Sequence, residues 1–197
     1  THTFSHALGE EFSSAQLDAD LTEAQRLHRG RFGEPAESIV PPRHQAMDPK
    51  VLKRNGIRVI RKTRGQMPET KPALLRWYLS RNHPVLEPVT RDGLVTTYTS
   101  VAQSMTAPYV AQGQRTVHPV LRLIPFRLRK YAHRLYVEDA LDRAVSEGKH
   151  AHFWTHLHDM ANEAQLNIVD QLLILVSKYK KAQGMQTIQM CHLNDEN

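Results

Sequence analysis

Two histidines separated by three residues open this chain, in Thr1-His2-Thr3-Phe4-Ser5-His6. That spacing can place both imidazoles on one side of a helical turn or tight loop, near enough to share one metal ion. As ligands they would offer neutral nitrogens to Zn²⁺ or a similar divalent ion; the alternative is a pair of solvated histidines. A second stretch, Pro41-Pro42-Arg43-His44-Gln45, sets an arginine behind a rigid lead-in. Such a guanidinium is suited to orienting a carboxylate, although a solvated loop arginine has the same look. A third, Phe153-Trp154-Thr155-His156-Leu157-His158, brings His156 beside an indole that could tune its pKa for general acid work. His150, His152, His156 and His158 also fit a plain alternating polar face.

Positioning these groups requires a scaffold, and the pattern supplies one. Leu17, Leu21, Ala24 and Leu27 recur at helical spacing, with Ser13 or Ser14 to cap a helix reaching about His28 and Gly30 to end it. Ser38-Ile39-Val40 reads as a buried strand ending in the Pro-Pro loop. Asp48-Pro49 and Asn55-Gly56 bracket a short helix over Pro49 to Arg54. Strands are expected over Ile57 to Arg61, within Arg91 to Thr99, over His150 to His156 and over Met185 to Met190. Further helices are expected over Lys71 to Ser80, Phe126 to Ser146 and Glu163 to Lys181. Met105 to Pro119 reads as an irregular excursion. Alternating helices and strands call for a parallel sheet, whose active residues gather at strand C-terminal ends; Arg43 and His156 both fall at such ends.

Composition narrows the function. The 197 residues suffice for one domain with its own core, and 40% hydrophobic content is ordinary for a globular protein. The net charge of +6 is spread along helices and loops without aromatic interleaving, so no nucleic-acid partner is expected. An anionic glycan or a lipid-linked sugar suits that charge equally. No apolar run is long enough to span a membrane. The lone Cys191 excludes an internal disulfide. No Gly-rich phosphate loop, no G-x-S-x-G elbow and no cysteine triad occurs.

The three stretches together resemble the motifs of the polysaccharide deacetylases, the NodB-type carbohydrate esterases. His2 to His6 is similar to the motif whose two histidines bind the metal. Pro42 to Gln45 is similar to the motif whose arginine steadies the catalytic base, and Phe153 to His156 to the last motif, whose histidine is the general acid. Further likeness, to the branch associated with surface polysaccharides and O-antigen, lies in Gly56 to Arg61, Leu94 to Ser100 and Gly184 to Met190.

The resemblance implies an α/β fold, a distorted (β/α) barrel lacking its first strand or strands, formed by residues 1–197 as a single domain that begins after the family's Asp-Asp motif. It implies metal-dependent hydrolysis of N-acetyl groups from amino sugars of a surface polysaccharide. His2 and His6 would hold a divalent metal, Zn²⁺ foremost. His156 and Arg43 would be catalytic, with Trp154, His158 and His44 at the substrate, an N-acetylated glycan or lipid-linked sugar. His44, and Leu157-His158 in place of a proline-containing continuation, depart from the family pattern. The rival expectation is a metal- or glycan-binding module of the same fold without catalysis.

Overall fold

A computed structural model describes residues 1–63, 85–99, 105, 123–156, 160 and 162–194. The expected helix over Lys71 to Ser80, most of the Met105 to Pro119 excursion, and His158 lie outside them. The chain divides into two compact units, one of residues 1–63, 87–98 and 188–197, the other of 64–86 and 99–187.

In the first unit, α1 spans Ser14–Phe32. Its start is a capping box: the Gln16 side chain accepts from Ser13 N at 2.9 Å while Ser13 Oγ accepts from Gln16 N at 3.3 Å. The helix runs through Gly30 and stops at Gly33, whose φ of 83° only glycine adopts without strain. Strand β1 is Ser38–Ile39. Next come a 3₁₀ turn over Pro42–His44, α2 over Pro49–Arg54 and β2 over Val59–Thr63. Asp48 caps α2 by accepting from Lys50 N at 2.8 Å, with Pro49 following as anticipated. Strand β3 (Val89–Arg91) turns back into β4 (Leu94–Thr99) through Asp92-Gly93, with φ of 53° and 72°, as a two-residue hairpin with both residues left-handed demands.

The sheet order is β1-β2-β4-β3. Strands β1 and β2 are parallel, with Ile39 opposite Ile60; β3 and β4 are antiparallel, with Thr90 opposite Val95. Side chains alternate across the strands, so Ile60 and Leu94 meet Leu17 and Leu21 of α1 and Leu52 of α2 in one core. Val59 and Val95 on the opposite face pack on Leu193 and Met190, which belong to a 3₁₀ segment over Met190–Asn194. Gln25 joins α1 to its surroundings from within: its amide donates to Ala36 O at 2.7 Å and Asn55 O at 2.6 Å and accepts from Ala36 N at 2.8 Å.

The second unit is built on α3 (Phe126–Glu147) and α4 (Glu163–Gln183), each closed by a left-handed glycine, Gly148 or Gly184. Tyr136, Val137 and Leu141 of α3 pack on Ile168, Leu172 and Leu175 of α4, with Phe153 and Met185 alongside.

This arrangement overturns the expected (β/α) barrel. That fold needs about eight parallel strand–helix repeats. The described residues form instead four α-helices and one four-stranded mixed sheet, two of whose strands are a hairpin. The expected strand over His150–His156 is reduced to isolated pairings: His150 bridges Leu86, and Trp154 O accepts from Met105 N at 2.8 Å. Alternating side chains do not make a strand without a continuous ladder partner. Met185 to Met190 is not a strand either; residues 184–189 belong to neither helix nor strand, and the 3₁₀ segment that follows packs over β2 and β4.

Candidate functional site

The His2–His6 segment is fastened to the end of β1. Thr1 N donates to Ser38 O at 2.7 Å and Val40 N donates to Thr1 O at 3.0 Å, the hydrogen-bond pattern of one parallel rung around Ile39. The next residue, His2, sets its Nδ1 2.6 Å from Val40 O. A carbonyl only accepts, so Nδ1 carries a ring proton; in the neutral form of the ring the lone pair then resides on Nε2. This is how metal-binding histidines are commonly held, with the second ring nitrogen donating to a backbone carbonyl.

The turn that follows is strained and tightly held. Thr3 and His6 have φ of 62° and 61°, a region costing a side-chain-bearing residue roughly 1–2 kcal/mol. Asp20 of α1 offsets that cost: its carboxylate accepts from Phe4 N at 2.8 Å, from Ser5 N at 2.9 Å and from the Ser5 hydroxyl. Thr3 Oγ1 accepts from Ala7 N at 2.9 Å, and Ala7 and Leu8 are buried beyond it. The result brings the two imidazoles edge to face, ring centroids 5.1 Å apart. Tetrahedral zinc with Zn–N near 2.05 Å would place each ring centroid about 3.2 Å from the ion, and the two about 5 Å apart. The 5.1 Å between the ring centroids of His2 and His6 matches that spacing. Among the described residues no group of three or more His, Cys, Asp or Glu side chains gathers to hold a metal.

The Pro41–His44 loop lies directly after β1. Pro41 and Pro42 are buried, His44 N donates to Pro41 O at 3.0 Å, and Gln45 N donates to Pro42 O at 3.1 Å. Arg43 and His44 are consecutive left-handed residues, with φ of 50° and 57°. Arg43 is exposed and His44 half-buried. This loop abuts the one after His6: Gln45 Oε1 accepts from Glu10 N at 3.3 Å, and a Cβ on Gly9 would sit 2.0 Å from Ala46 O. The two motif loops are therefore seated against each other in one unit, and Gly9 is the residue that permits the approach.

His156 belongs to the other unit, exposed, with its ring edge-to-face on the half-buried Trp154 at 5.1 Å. The expected indole–imidazole pair is present. His158 is outside the described residues.

Two participants escaped the sequence analysis. Asp20 sits on the inward stripe between Leu17 and Leu21 and is buried, and an acid on an apolar stripe was a legible signal of a partner. The Val40 carbonyl carries no side-chain signal. In comparison with protein-family models, curated proteins and solved structures, nothing matches this chain.

Proposed function

We propose that this chain binds a divalent metal through His2 and His6 and contributes that site to the hydrolysis of N-acetyl groups on amino sugars of a surface polysaccharide or lipid-linked precursor. The observation carrying the metal assignment is the 2.6 Å contact of His2 Nδ1 with Val40 O, beside an imidazole 5.1 Å away. The substrate class rests on the motif resemblance.

When bound, a divalent cation such as Zn²⁺ supplies Lewis acidity toward a carbonyl oxygen. The chain's own residues do the remainder. Val40 fixes the His2 tautomer, and Asp20 holds the strained turn that brings His6 to it. Arg43 presents a planar fork able to orient a carboxylate. The motif resemblance gives His156, which pairs with Trp154 in the second unit, the role of general acid, and gives Trp154, His158 and His44 that of sugar contacts.

A second reading is a metal- or glycan-binding module without catalysis, which needs only the two imidazoles brought together at His2 and His6. Calorimetric zinc titration and acetate release from N-acetylated chito-oligosaccharides separate the two. His2→Ala and His6→Ala should each weaken zinc binding about 10- to 100-fold. Unchanged zinc affinity in both variants refutes the site. Zinc binding with no acetate release, and no effect of His156→Ala, selects the binding module.

A further inference from the structure

Helix α4 carries two apolar stripes. One is the buried set Ile168, Leu172 and Leu175, which packs on α3. The other is Leu166, Val169, Leu173 and Val176, at spacings of three, four and three residues. At about 100° per residue these four fall within an arc of about 80°, so they share one face, beside the buried one. Leu166 is 52% exposed and Leu173 54%, and the two valines are half-buried where the stripes adjoin. Helix α4 is described along its whole length, from its Asn162 cap to Gly184.

A three–four repeat of apolar residues is the seam by which one helix packs along another. The α3–α4 contact does not require it, since the outer face of a helix buried on one side is ordinarily polar. Charge differs between the two ends of this seam. Glu163 and Asp170 stand in the N-terminal half, and Lys178, Lys180 and Lys181 in the C-terminal half. The helix dipole favours Glu163 and the last-turn lysines where they are, but it does not account for the leucines between them. Among the described residues none of Glu163, Asp170, Lys180 and Lys181 is held in an ion pair, whereas Glu138 and Glu147 of α3 each bind an arginine one turn away.

We infer that this face of α4 docks on α4 of a second copy of the chain, the two helices running antiparallel. Antiparallel packing sets each acidic half against the other copy's basic half and opposes the two helix dipoles. With Leu166 opposite Val176 and Val169 opposite Leu173, Lys180 and Lys181 of one copy come level with Glu163 of the other. A parallel pair would instead set Lys180, the next seam position after Val176, against its own counterpart. An anionic lipid surface or a nucleic acid would meet the carboxylates of Glu163 and Asp170, which border the seam beside Leu166 and Leu173.

Analytical ultracentrifugation of the full chain, over a roughly hundred-fold concentration range around 10 µM, tests this and should show a reversible monomer–dimer equilibrium. Leu173→Ser removes one seam leucine from each copy and should weaken the dimer roughly thirty-fold, with an unchanged circular dichroism spectrum because Leu173 lies outside the core. Glu163→Lys should weaken it about five-fold, and adding Lys180→Glu and Lys181→Glu to that variant should recover most of the loss, since the charges are then exchanged in place. A chain that stays monomeric throughout would overturn the proposal, as would a dimer that Leu173→Ser leaves unchanged. A triple charge variant weaker than Glu163→Lys alone would overturn the antiparallel pairing. Binding of the wild-type chain to vesicles of phosphatidylcholine and phosphatidylglycerol that Leu173→Ser abolishes would overturn it too, by assigning the stripe to a lipid surface.

Discussion

His133 should make the second unit sensitive to mild acid. The residue lies on the inward face of α3, 1% exposed, with Nε2 3.0 Å from Met105 O and its ring stacked 6.5 Å from Tyr136. Burial drives its pKa down from 6.5 to about 4, outweighing the upward pull of the Met105 hydrogen bond. The unfolded chain, with the ordinary value, takes up the proton first as pH falls. Stability is therefore full above about pH 6.5, declines as pH drops toward 4 and levels off below it. The loss amounts to about 2 kcal/mol by pH 5 and about 3 kcal/mol by pH 4. Urea unfolding followed by tryptophan fluorescence measures it, since Trp154 lies in the same unit. His133→Gln can still donate to Met105 O but does not titrate, so its stability should fall by that much less over the same range. Parallel curves for the two proteins between pH 7.5 and 4.5 would refute the reasoning.

Three other substitutions probe the first unit. Asp20→Asn replaces a carboxylate that accepts three hydrogen bonds with an amide offering one oxygen; it should cost about 1–3 kcal/mol and also weaken zinc binding, read by chemical denaturation and calorimetry. Gln25→Ala leaves the buried Ala36 N and O and Asn55 O without their partner, and should cost about 2–3 kcal/mol in the same denaturation assay. Gly9→Ala drives a Cβ into Ala46 O, so the melting temperature should drop and the two motif loops should separate, visible as amide chemical-shift changes confined to residues 2–12 and 41–47. Normal stability of this last variant would show that the loops do not need their close approach.

What the amino-acid sequence determined alone is what neighbouring residues settle between themselves. Ser13 with Gln16, Asp48 with Pro49, and the glycines Gly148 and Gly184 set helix ends through bonds or dihedrals that involve only a few adjacent residues. The same locality explains the error at Gly30, a glycine the helix tolerates before its left-handed end at Gly33. Asp92-Gly93 carried the hairpin signal too, and with it the evidence against a wholly parallel sheet. The tertiary structure decided what depends on distant partners. His150 to His156 has a strand's alternation but, among the described residues, meets Leu86 and Met105 through single rungs, while Met190 and Leu193 find Val59 and Val95 and coil over them. At the candidate site the spacing of His2 and His6 was legible, yet their 5.1 Å approach depends on Asp20 and on the Val40 carbonyl. A buried acid's partners and a carbonyl's direction are set by packing between segments far apart in the chain, and such pairings leave no spacing to read.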